Sequence, residues 1–244
     1  MKAALRWLLL IVAAAVALQL YFVLRIAAMA IIDPQSTTFQ RSEAWRLATE
    51  PRKALRWRQQ WVPYNQISDH LKRAVIASED DGFVTHEGVD WDALEKAWQR
   101  NTRAEEAAAR RSQLQRGRTR PPKIIGGSTI TQQLAKNLLL SGERTFLRKG
   151  QEIVLTFALE ALLSKQRILE IYLNNVEWGE GVFGAEAAAQ HYFRHSAARL
   201  TPYQAARLAV MLPRPRYFER LPNSAYLSGR AGVIVGRMGD AELP

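Results

Sequence analysis

Apolar positions run without interruption near the start of the chain and become periodic further on. From Trp7 to Leu24, eighteen consecutive residues carry no formal charge, and only Gln19 is strongly polar. A bilayer core takes about 20 apolar residues as a helix, so this run nearly suffices alone. Arg25 can snorkel to the interface, and Ile26 to Ile32 can carry the helix into the headgroup region. Residues 1–32 are therefore expected to be a cytoplasmic tip and a transmembrane anchor. The competing reading is a cleaved signal peptide, with Ala28-Met29-Ala30 as its cleavage site. Against it, the run exceeds the usual apolar region of about 7–15 residues, and Arg25 falls between the run and that site. Lys2 and Arg6 precede the run, and such positive flanks stay in the cytoplasm. Both readings export the remaining chain.

Residues 33–66 hold Pro34, Pro51 and Pro63 with charged and aromatic residues between them. They are expected to form a loosely packed connector. From Ile67 the pattern is helical, and no convincing alternating run predicts a strand. Ser68 can cap a helix to about Asp80 with Ile67, Leu71, Ala74 and Val75 on its apolar side. Asp90 can cap another through Trp91, Leu94 and Trp98. Thr129 with Gln132 has capping-box spacing for a helix through Leu140. Thr201-Pro202-Tyr203-Gln204 combines an N-cap, a proline at the first helical position and a glutamine at the third, and Pro213 stops that helix. The segment Ser164 to Asn175 reads as a further amphipathic helix with an asparagine C-cap and a structural role. The expectation is a mainly α domain over residues 67–244.

Charge adds a constraint. The 244 residues carry a formal net charge of +11 and no cysteine. The balance calls for an anionic partner, and the missing thiols exclude disulfides and thiolate metal sites. Four scattered histidines show no zinc spacing. Residues 102–123 concentrate the charge, with seven basic side chains against Glu105 and Glu106. This insertion reads as a solvated mobile segment or, alternatively, as a polybasic contact to anionic lipid. Export argues against nucleic acid.

Three segments carry candidate chemistry. Glu79 to Asp90 packs five carboxylates and one imidazole into twelve residues, directly after the apolar run Ala74 to Ala77. Glu79 would end a helix, where the dipole and the neighbouring Asp80 and Asp81 favour proton uptake. That property suits a general base near neutral pH. A plain acidic surface turn is the alternative, and His86 alone more often marks a structural hydrogen bond than a ligand. In Gly126 to Asn137, two glycines and three hydroxyl residues open a helix whose free N–H groups can bind a phosphate-like anion. Gln132, Gln133 and Lys136 lie off its apolar stripe and can line a cleft. In Thr145 to Glu152, Arg148 and Lys149 lie one turn before Glu152. Taken alone this is more often a solvated salt-bridged face; beside Lys136 and Arg144 it also supplies cations for a pyrophosphate, with Glu152 available to orient them or hold a divalent ion.

These segments resemble the glycosyltransferase family of peptidoglycan polymerases, and best the monofunctional biosynthetic type. The resemblance runs from about Trp61 to Phe218 through five ordered blocks: Glu79–Asp90, Gly126–Asn137, Arg148–Glu152, Ser164–Asn174 and Gly181–Phe193. It implies a lysozyme-like helical glycosyltransferase domain, anchored by a single pass in the inner membrane with its catalytic domain on the periplasmic face. It also implies polymerisation of lipid II, with Glu79 and Glu152 catalytic. Ser128, Gln132, Gln133, Lys136, Arg144, Arg148 and Lys149 would bind substrate, and Mg2+ or Mn2+ would assist near Glu152. Its partners would be lipid II, the nascent glycan and other division or cell-wall synthesis proteins. The insertion at 102–123 departs from the family pattern in length. Two other classes stay open at this stage: a glycan hydrolase using Glu79 as an acid, and a non-enzymatic scaffold using the basic segment.

Overall fold

The computed structural model describes residues 2–50, 57–114, 126–143 and 145–244. The chain is mainly helical, in the order α1 (Lys2–Ala28), α2 (Thr38–Thr49), β1 (Arg58–Gln59), α3 (Asp69–Glu79), α4 (Trp91–Leu114), α5 (Ile130–Leu139), α6 (Phe146–Leu162), α7 (Lys165–Asn175), β2 (Glu177–Gly179), β3 (Val182–Phe183), α8 (Ala185–Phe193), α9 (Pro202–Met211), α10 (Pro215–Glu219) and α11 (Ala225–Arg237).

The expected caps form. Ser68 accepts from the His70 N–H, and Asp90 accepts from the Ala93 N–H. Thr129–Gln132 and Thr201–Gln204 close complete capping boxes at α5 and α9. These side chains satisfy donors that a helix start otherwise leaves unpaired. Leu71, Ala74, Val75 and Ile76 of α3 are fully buried, because α3 packs along α9, which in turn packs on α11. A second layer sets α5 between α6, α7 and α2.

Several expectations change. The connector 33–66 is not loosely packed throughout. Thr37 and Gln40 make a third capping box that starts α2, with Thr37, Gln40 and Leu47 buried. Three short strands form where none was expected, in the order β1-β3-β2, with β1 parallel and β2 antiparallel to β3. They are too short to show an alternation in sequence. At the end of α7 the cap is Val176. Asn174 instead clamps the chain before α3, donating to Val62 O and accepting from Val62 N. Trp91 and Trp98 of α4 point outward, 62% and 73% exposed. α4 meets the domain through Ala97 and the Leu94 backbone, which lie 3.3 and 3.2 Å from where a Cβ on Gly127 would sit. Gly127 is thus small because a helix crosses it. The helix also takes in residues 102–114, the first part of the basic insertion, while residues 115–123 of it lie outside the described residues.

α1 is long and apolar enough to cross a membrane, and its C-terminal end belongs to the domain. Phe22, Ile26 and Met29 join the main hydrophobic cluster. α1 packs on α6, and the Arg167 guanidinium donates to Met29 O and to Asp33.

Candidate active site

Two cavities meet at the N-terminal end of α5. The larger, about 620 Å³, is lined by Ser128, Gln132, Gln133 and Lys136 from α5 and its approach, by Arg148, Lys149 and Glu152 from α6, and by Glu177. α2 closes one side with Thr38, Phe39 and Ser42. The smaller, about 380 Å³, is lined by Glu79, Asp80, Asp81, Asp90, Lys96, Arg100 and Arg237. Ser128 borders both.

Glu79 stands at the junction. The Gln133 amide donates to its Oε2 at 2.9 Å, and the Tyr172 hydroxyl donates to Gln133 Oε1 at 3.0 Å. Tyr172, fully buried on α7, therefore fixes which way the Gln133 amide faces. Burial pushes the Glu79 carboxyl above its ordinary range; the Gln133 hydrogen bond opposes this, Asp80 adds to it, and the Lys136 ammonium opposes it. The Asp80 repulsion was legible in the sequence, but the leading cause is desolvation. A carboxylate held this way binds a proton more readily than usual and can act as a base near neutral pH.

Asp80 has a different task from its neighbour. Its carboxylate accepts from His86 Nε2 at 2.8 Å and from the Ile130 N–H at 2.9 Å. The Gly88 N–H donates to His86 Nδ1, so the ring proton sits on Nε2. The Thr129 hydroxyl donates to Gly88 O. This net ties the loop after Glu79 to the start of α5, and the imidazole is a structural group. It also narrows one expectation. The Ile130 and Gln132 N–H groups are not free to hold a phosphate, because Asp80 and the capping box take them.

On α6, Glu152 is buried and accepts from both Arg148 Nη1, at 2.8 Å, and Lys149 Nζ. Among the described residues Arg148 Nε is buried without a hydrogen-bond partner. Arg144, the remaining expected cation, lies outside the described residues. The side chains around Glu152 do not make a cation site by themselves. Its oxygens are engaged by two positive groups, and no group of three or more metal-binding side chains gathers among the described residues.

Sequence reasoning missed Tyr172, read only as part of a structural helix, and Glu177. Glu177 is buried in β2 on the wall of the larger cavity, where desolvation pushes its carboxyl up to about 7 against the opposing Arg216. Arg216 reaches it from α10 at 2.9 Å and also pairs with Glu43 of α2. Neither residue shows a local signal, since strand and helix bring them together from distant positions.

Residues 48–239 match the family profile described as Transglycosylase. Over 228 residues the chain is 54% identical to the biosynthetic peptidoglycan transglycosylase of Burkholderia thailandensis, covering 93% of this chain and 82% of that one. Over 239 residues it is 52% identical to the protein of the same name from Herminiimonas arsenicoxydans, covering 98% of this chain and 96% of that one. With both the profile and near full-length relatives in agreement with the two-cavity geometry, the chain belongs to the transglycosylase family.

Proposed function

We propose that the protein is a peptidoglycan glycosyltransferase that polymerises glycan chains from lipid II, transferring the growing chain from its undecaprenyl pyrophosphate to the 4-hydroxyl of an incoming lipid II. The observation that carries this reading is the place of Glu79, at the boundary between a cavity lined by Lys136, Arg148 and Lys149 and a second cavity that can admit an acceptor. The relatives' names supply the glycan substrate class.

The donor's pyrophosphate occupies the cationic cavity, with Ser128, Gln132 and Gln133 along the sugar. The Glu79 carboxylate takes the proton from the acceptor's 4-hydroxyl as that oxygen bonds to the donor C1. The bond between C1 and the pyrophosphate oxygen breaks with its electron pair, so configuration at C1 inverts and no glycosyl-enzyme forms. The charge on the leaving pyrophosphate is met by Lys136, Arg148 and Lys149, and Glu152 holds the last two in place. No step is routed through Mg2+ or Mn2+, because Glu152 already serves the two cations. A hydrolase acting on finished glycan would have no use for such a cavity.

Lys2 and Arg6 orient α1 with its start in the cytoplasm, so the domain works on the outer face of the inner membrane. Labelled lipid II in bilayers tests the reading. Glu79→Gln keeps the shape and removes basicity, and general-base loss is expected to slow polymerisation by about 10²–10⁴-fold. Polymerisation by Glu79→Gln at the wild-type rate would refute the assignment.

A further inference from the structure

One polar residue interrupts the apolar span, and it is not exposed to lipid alone. Gln19 Nε2 donates to Gln151 Oε1 at 2.9 Å, and Gln151 Nε2 donates back to Gln19 Oε1 at 3.0 Å. Both amides are thereby satisfied in a reciprocal pair. Gln19 is also in register with the buried seam of α1. Positions 19, 22, 26 and 29 follow the three-and-four spacing of one helix face, and Phe22, Ile26 and Met29 are the residues that enter the core. The amide pair is the seam's contact deepest in the span.

Its partner is equally telling. Gln151 sits between Lys149 and Glu152, in the first turns of α6 that carry the cations of the larger cavity. Met29, at the outer end of the seam, meets Arg167 just beyond α6, in the first turn of α7. α6 therefore runs alongside α1 in the same direction, with its start toward the membrane. Phe146 and Leu147 at that start are 99% and 87% exposed, as lipid-facing side chains would be. Gln19 lies about 9 Å before Arg25 along the helix, at 1.5 Å per residue, which sets the pair level with the first turns of α6 and their cations. Each amide there finds its partner in the other, which ties the two helices together at one level.

We infer that the Gln19–Gln151 pair is a positioning device: it fixes the depth at which Arg148, Lys149 and Glu152 meet the diphosphate of a lipid-embedded substrate. The membrane anchor is thus part of the active-site scaffold, and Gln19 acts through Gln151 on residues that touch substrate. This rests on the proposed use of the larger cavity for a lipid-linked pyrophosphate.

The test compares the wild type, Gln19→Leu, Gln151→Leu and the double variant with two substrates: full-length lipid II in bilayers and a short-chain, water-soluble analogue in detergent. Interhelical amide pairs in membranes are worth enough to slow the bilayer reaction by roughly 3- to 18-fold in either single variant. The double variant is expected to be no slower than the singles, as coupled residues require. The analogue, which can approach from solution, is expected to react at the wild-type rate with every variant. Wild-type rates on lipid II in bilayers by both single variants would overturn the inference, and so would an equal deficit on the analogue, which would point to a merely structural loss. A wild type inactive on both substrates would instead count against the proposed function. Because the chain has no cysteine, Gln19→Cys/Gln151→Cys gives a clean second readout. A short bis-maleimide is expected to join the two thiols within one chain in bilayers, one thiolate adding to each maleimide; failure to join them would show that α1 is not seated on α6 and would also overturn the inference.

Discussion

Asp80→Asn is nearly isosteric, yet the hydrogen-bond pattern leaves the new amide no good orientation. Both partners of Asp80 are donors: the Ile130 N–H and His86 Nε2. His86 cannot reverse its tautomer at no cost, since Nδ1 accepts from the Gly88 N–H. Whichever way the substituted side chain turns, its NH2 group faces a donor, and one buried donor is stranded. An unsatisfied buried polar group costs about 1–3 kcal/mol. For a domain of this size that lowers the melting temperature by roughly 2–12 °C. The variant has a second, separable effect. Asp80 is one of the two influences that raise the proton affinity of Glu79, so removing its charge lets Glu79 ionise at lower pH. The active form is the carboxylate, and the acid limb of the rate profile is expected to move toward lower pH. Thermal melts of the detergent-solubilised chain and initial polymerisation rates across pH measure the two effects. An unchanged melting temperature would refute the donor argument, and an acid limb displaced upward would refute the electrostatic one.

Glu79→Gln is expected to be at least as stable as the wild type at neutral pH, because burial disfavours the wild-type carboxylate; the gain should vanish in melts below the ordinary carboxyl range, where both side chains are neutral. Glu177 has a folded value of about 7 against an ordinary 4.5, so the folded state holds the extra proton between those values, and stability falls as pH rises through that window. The wild type should therefore lose ground to Glu177→Gln between pH 4.5 and 7, by at most about 3 kcal/mol, as read from paired denaturation curves. Gly184→Ala should destabilise by roughly 2–5 kcal/mol, since φ is +84° and the new Cβ would lie 2.6 Å from Asn174 O; a melting temperature equal to the wild type's would contradict this.

Capping chemistry was the most legible part of the fold, because it is local. Thr129 with Gln132 and Thr201 with Gln204 announce their helices within four residues, and the structure closes both boxes. Thr37 with Gln40 has the same spacing, but Pro34 and Pro51 and the lack of an apolar stripe hid α2. Periodicity showed which face of α4 is apolar without showing what meets it, so Trp91 and Trp98 proved exposed. In the site, Glu79, Gln133, Lys136, Arg148, Lys149 and Glu152 were legible because each stands in a dense local motif. Their division of labour was not. Asp80 reaches fifty positions ahead to Ile130, Tyr172 reaches back to Gln133, and Arg216 spans to Glu43. Such pairings depend on tertiary approach, for which a single chain carries no local signal.

Because Thr38, Phe39 and Ser42 line the larger cavity, and the Thr38 hydroxyl donates to Leu138 O at the end of α5, the stretch that joins anchor to domain cannot be trimmed as spare tether. A fragment begun at residue 48, where the family match starts, would open one side of the larger cavity. One begun just ahead of Thr37 would keep that side shut.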